Sequence, residues 1–308
     1  MPPVAPLPLR PVSSLATANL ICMASMMIWA AGLPSAERLF PLLPSDQLAA
    51  LRMALVAAAL VPFWLLREGF DPFLQANWPR GLAVGSLIGI AAWFLILGQA
   101  RSGAVTTAVI SSTLPIVGIA LEVVLDTRRV TRALVLGLML SVLGGLMALD
   151  FATGGVNLGI GAGFCFLSVV FFAMGSRLTV TAFPRETPLG RTAITMSGAA
   201  VAVLAAAGLQ WGLGGPAPTF QAWGWGEIGA ILMYSVAALG VAQVMWIMSV
   251  ERLGIGLSAL HINASPFYVM LILFLMGQPW DWGQAGAALV VGLGVLVAQG
   301  IIPLGRRA

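Results

Sequence analysis

Apolar residues run along this chain in stretches of about 20, separated by short polar, charged or Pro/Gly-rich breaks. A helix of about 20 such residues crosses the roughly 30 Å hydrocarbon core of a bilayer. Ten stretches meet that length: 15–33, 46–66, 79–100, 103–124, 131–149, 157–177, 188–209, 226–249, 256–276 and 283–302. Breaks such as 101–102 and 250–255 are so short that consecutive spans must be antiparallel neighbours. Residues 1–14, opened by a Pro-rich run, and residues 303–308 read as cytoplasmic tails. Residues 15–33 exceed the apolar part of a signal peptide in length and count as the first span.

Composition excludes a soluble domain. Hydrophobic residues make up 59% of the 308 and charged residues 8%, where a soluble surface needs about 25% charged. A net charge of +4, with the Arg scattered, excludes a nucleic-acid partner. Two cysteines make neither a disulfide framework nor a zinc site, and no metal or cofactor motif occurs. The expected partners are the lipid bilayer and a small-molecule substrate. Arginine sets the orientation. Twelve Arg fall on the side of the termini, and three (Arg38, Arg52, Arg101) on the other, which places both termini in the cytoplasm.

The ten spans repeat as five plus five. Cys22-x2-Ser25-x3-Trp29-Ala30-x-Gly32 returns as Cys165-x2-Ser168-x3-Phe172-Ala173-x-Gly175 at an offset of 143. Arg101-x-Gly103-x4-Ala108-x6-Pro115 returns as Arg252-x-Gly254-x4-Ala259-x6-Pro266 at an offset of 151. Arg52 and Arg191 sit alike near the starts of spans 2 and 7, and Gly137-x7-Gly145 parallels Gly286-x7-Gly294. Because five is odd, the second half crosses the membrane the opposite way. The expected fold is an all-α polytopic membrane protein of ten transmembrane helices, built as two inverted five-helix repeats over 15–150 and 151–302.

On these motifs the chain resembles the drug/metabolite transporter superfamily and its EamA-type ten-helix exporters. Within it, the chain looks most like the YddG-type exporters of aromatic amino acids. The resemblance implies a multi-pass protein of a bacterial inner (plasma) membrane. It also implies alternating access around a central cavity, with no enzymatic chemistry.

Pro115 and Pro266 fall mid-span and predict bends, with a gating role, in spans 4 and 9. Polar residues mark the expected lining. Ser258, His261, Ser265 and Tyr268 share about 80° of arc on span 9; Thr107 and Ser111, with Gly118 and Glu122, share about 60° on span 4. Ser25 and Trp29 on span 1, and Ser168 and Phe172 on span 6, form matching stripes. Trp93, Tyr234 and Trp246 offer stacking faces. Gln243 and Asn263 lie off these stripes and read as amides that join helices, and Glu122 as an ion pair with Arg128. The Gly81-x3-Gly85-x3-Gly89 and Gly155-x3-Gly159-x3-Gly163 ladders read as packing seams. Spans 5 and 10 read as scaffold or as the face of a weak dimer, the alternative being a monomer. No unpaired Arg or carboxylate stands out mid-span, which favours a zwitterionic or weakly polar solute, amino acids included. The alternatives are an uncoupled facilitator, an exporter of other neutral or drug-like solutes, and an intramembrane enzyme. One His and no His-Glu-x-x-His motif exclude metalloprotease chemistry.

The Arg count predicts that the 210–225 loop is extracellular. A cysteine at Thr219 should react with a membrane-impermeant maleimide on intact cells. Reaction only after lysis would invert the topology.

Overall fold

The computed structural model describes residues 14–39, 41–147, 159–214, 223–277 and 279–302. The two tails, the junction of the halves near 150, Gly155, and the tip of the 210–225 loop with Thr219 lie outside the described residues. The chain is helical throughout them: α1 (Leu15–Leu39), α2 (Ser45–Glu68), α3 (Phe70–Gln75), α4 (Trp78–Ser111), α5 (Leu114–Leu125), α6 (Arg132–Met147), α7 (Ile160–Thr181) and α8 (Pro188–Gly212). There follow α9 (Trp225–Leu232), a π-helical stretch (Met233–Val241), α10 (Ala242–Leu253), α11 (Ile255–Ala259), a 3-10 turn (Leu260–Ala264), α12 (Ser265–Leu275) and α13 (Trp282–Ala298). Six helical stretches are long and apolar enough to span a membrane, and four shorter apolar ones accompany them. They fall in the order three long, two short, three long, two short. This is a polytopic membrane fold.

Six long and four shorter apolar stretches stand where ten spans are expected, with some helix boundaries different. α4 is helical over 34 residues, straight through the expected break at 101–102. Its neighbour α7 reveals a reversal. Ser168 bonds the Ala91 carbonyl, Cys165 packs on Gly98, and Gly161 meets Arg101, so α4 first runs antiparallel to α7. Thr107 then touches Cys165 again at 3.4 Å, and Asp126 pairs with Arg177, so the chain has turned parallel to α7. The direction changes between Arg101 and Thr107.

The prolines do not bend continuous helices. Pro115 occupies the first turn of α5, after a break at Ser112–Thr113. Pro266 is the second residue of α12, after the 3-10 turn. A proline lacks the N–H that the first turn leaves unpaired, so it starts a helix without loss. The breaks stand at equivalent places in the two repeats.

Matching contacts join the halves. The Ser25 hydroxyl donates to the Ala242 carbonyl at 2.7 Å, and Ser168 to Ala91 at 2.7 Å. These are the same bond: Ser168 is Ser25 plus 143, and Ala242 is Ala91 plus 151. The Cys22 thiol meets the Ser258 carbonyl at 3.6 Å, while Cys165 meets the hydroxyl of Thr107, the repeat equivalent of Ser258. α6 and α13 pack on each other through Gly137, Gly144 and Gly294. Trp64 is fully buried, edge-on to Trp78 and against Phe73 of α3.

The first glycine ladder is a seam, whereas Gly163 of the second stands open. A methyl on Gly85 would meet Gly198 Cα at 2.7 Å, and one on Gly89 the Ala199 carbonyl at 2.9 Å, so α4 and α8 touch backbone to backbone. A methyl on Gly163 would meet nothing within 4 Å. Gly85→Ala should therefore destabilise the protein by about 1–3 kcal/mol through overpacking. Gly163→Ala should be neutral, as read by thermal unfolding in detergent. Equal effects would remove the distinction.

Candidate functional site

A cavity of about 440 Å³ opens between the two halves. Its wall follows the repeat. Ser25 and Ser168, Trp29 and Phe172, Ala91 and Ala242, Leu95 and Trp246, and Ile88 and Leu239 are equivalent pairs, and both members of each line it. Ser111, Ser112 and Leu114 come from the first break, and Ile262, Asn263 and Ser265 from the second. The two helix breaks thus face each other across the cavity. Their loosened backbone lines a cavity rather than lipid, where its polar groups would go unpaired.

The cavity is aromatic on one side and polar at few points. The Phe172 and Trp246 rings lie 6.1 Å apart at 33°, and the Trp246 indole N–H donates to Ser176 at 3.3 Å. The Ser25 and Ser168 hydroxyls are committed to carbonyls and serve as staples between helices. Ser265 donates to the Ile262 carbonyl at 2.6 Å.

Eight of the expected lining residues are on the wall: Ser25, Trp29, Thr107, Ser111, Ser168, Phe172, Trp246 and Ser265. Five stand away from it. Trp93 packs into the cluster shared by α2, α4 and α8. The Tyr234 ring lies beneath the Arg52 guanidinium. Ser258 and His261 are buried in the α11 and 3-10 segments, the His261 Nδ1 without a partner. Tyr268 packs in the cluster around Cys22. In exchange, the wall includes Arg52, Gln243 and Asn263. The amides fall off the polar stripes and Arg52 lies near a span end, so the stripe pattern does not mark them. The repeat offset itself carried the missing signal, since Asn263 is equivalent to Ser112 and Gln243 to Ala92.

The cavity stops short of the Arg-rich side. α5 contributes only its first residue, Leu114, and α10 nothing beyond Trp246. Past that level the helices are tied together. Glu122 pairs with Arg128 and accepts the Gly256 N–H at 3.1 Å, joining α5 to α11. Gly118 and Gly256 pack there without side chains between them, a methyl on Gly118 meeting Gly256 Cα at 3.0 Å. Arg177 grips Asp126 through two nitrogens, and Arg191 reaches Glu251 at 3.1 Å. The bonded Arg177 guanidinium holds the Asp126 carboxyl below the usual aspartate range. That contribution is present above the ordinary range and disappears as pH falls through the lowered value.

The cavity has a helical wall, built from both halves of the chain. Residues 16–149 match the EamA-like transporter family. The first half is thus similar to an EamA-like transporter domain. One solved crystal structure aligns over 95% of this chain and 100% of its own, with a TM-score of 0.76 at 19% identity. That likeness is one of fold, and it extends past residue 149 into the second half. Among curated proteins none matches. The EamA-like match does not extend to the aromatic amino acid exporters as a subgroup.

The wall predicts accessibility. Cysteines at Ser111 and Ser265 should react with a small thiol reagent applied from the Arg-poor side. Cysteines at His261 and Tyr268 should react at least about tenfold more slowly. Equal rates at 111 and 261 would move the cavity.

Proposed function

We propose that this protein is a secondary transporter that exports small organic metabolites, amino acids including aromatic ones among them, by alternating access through the central cavity. The observation that carries this reading is the cavity itself. It lies between repeat-equivalent helices, is apolar and aromatic over most of its wall, and has few polar groups. Its volume falls within the usual range of small-molecule sites, about 300–1,000 Å³. Trp29, Phe172 and Trp246 give faces for an apolar side chain, and the hydroxyl and amide groups give a polar end something to bind.

By the positive-inside rule the Arg-rich side is cytoplasmic, and the protein resides in a bacterial inner membrane. The cavity then opens outward, and the tied helix ends form the closed inner gate. Export requires those ties to part and the opposite side to close. On that side the Arg38–Glu227 ion pair, 2.7 Å long, already joins α1 to α9.

The test is transport by the purified protein in proteoliposomes with a panel of labelled amino acids. Saturable flux with acceleration by substrate on the far side supports a carrier; linear flux without it indicates a channel. The same assay weighs His261. A buried His off the cavity wall should act structurally, so His261→Ala should reduce exchange and pH-gradient-driven flux together. Loss of driven flux with full exchange would give His261 a proton-coupling role.

A further inference from the structure

Arg52 is a cation on the cavity wall. Its Nε donates to the Tyr234 backbone carbonyl at 3.0 Å, and its guanidinium lies 3.8 Å above the Tyr234 ring. Among the described residues no carboxylate pairs with it. The terminal nitrogens therefore remain as donors on a plane that the ring holds fixed. A cation left so inside a span is costly unless something anionic completes it.

The other half shows the same position in its neutralised form. Arg191, the equivalent of Arg52, bonds the Glu251 carboxylate at 3.1 Å and the Glu186 carbonyl at 2.8 Å. The residue equivalent to Glu251 is Ala100. The first half thus keeps the cation and carries alanine where its partner would stand. A planar guanidinium suits a carboxylate, which it can bind through two parallel N–H bonds.

A second wall residue supplies the opposite polarity. The Ser141 hydroxyl donates to the Leu260 carbonyl at 3.1 Å, so it can only accept from Asn263, whose Nδ2 lies at 3.2 Å. That fixes the Asn263 amide with Oδ1 as a buried acceptor that no group among the described residues fills.

We propose that Arg52 binds the carboxylate of the transported solute, and that Asn263 Oδ1 accepts from its ammonium group. The substrate class is an α-amino carboxylate. This rests on the transport reading above and narrows it.

The experiment uses the full-length protein in proteoliposomes, with phenylalanine as labelled probe and phenylalaninamide, phenethylamine and 3-phenylpropionate as competitors or labelled alternatives. Wild type should prefer phenylalanine over phenylalaninamide by about 10- to 100-fold, the worth of one charged hydrogen-bonding partner. Arg52→Gln should erase that preference while uptake of the amide persists, and Arg52→Lys should restore part of it. A purely structural Arg52, holding α2 to the π-helical stretch, would lower acid and amide alike; that parallel loss overturns the proposal. So does wild-type transport that ignores the difference between acid and amide, a result independent of any variant's folding. Transport of 3-phenylpropionate without phenylalanine would support Arg52 and overturn the amino acid reading and the Asn263 role. Transport of phenethylamine alone would overturn both.

Discussion

In hydrocarbon a backbone carbonyl or N–H has no water to fall back on, so each must be paired within the protein. The staples and breaks of this structure follow from that constraint. Where two helices cross at the cavity, a serine hydroxyl caps a carbonyl of the other: Ser25 on Ala242, and Ser168 on Ala91. Each bond uses a side chain short enough to let the backbones approach. The departures from regular α-helix sit where the chain is sheltered from lipid. The break before α5 and the 3-10 turn before α12 both line the cavity. The π-helical stretch ends at Val241, beside the stapled Ala242.

Much of the fold was legible because lipid imposes length and because the halves rhyme. Apolar run length located the spans, and two constant offsets paired them. The corner between Arg101 and Thr107 was legible in position from the Arg101-Ser102 break, but not in form, since the backbone stays helical through it. The cavity wall was less legible for a geometric reason. The stripe on span 9 assumed 100° per residue throughout. Five residues of 3-10 helix advance by about 120° each, and so turn the stripe by roughly 100° across the segment. Ser265 beyond the turn keeps its place on the wall, while Ser258 before it and His261 within it turn away. Arg52 was hidden by its neighbourhood: an Arg seven residues into a helix reads as an interfacial anchor until the structure places it on a cavity wall.

Symmetry also separates what holds the wall from what could discriminate among solutes. Pairs shared by the halves are mostly apolar or committed to staples. Three polar groups that are only partly bonded among the described residues break the symmetry. Gln243 faces Ala92 across the repeat, Asn263 faces Ser112, and Arg52 faces an Arg191 whose charge is already met. Duplication supplies the shape of such a site, and divergence at a few positions supplies its chemistry.

The seam at Gly85 and Gly198 has a mechanical consequence. Side chains that interdigitate can change rotamer and so yield under load, whereas backbones in direct contact cannot. α4 and α8 are joined with no such cushion, and α7 is held to α4 by a staple. These three helices form a stiff lever. The Glu122 tie between α5 and α11 is different in kind, one carboxylate holding one peptide N–H. That bond can let go by a single exchange of partner, while the Gly118–Gly256 contact beside it offers no such release.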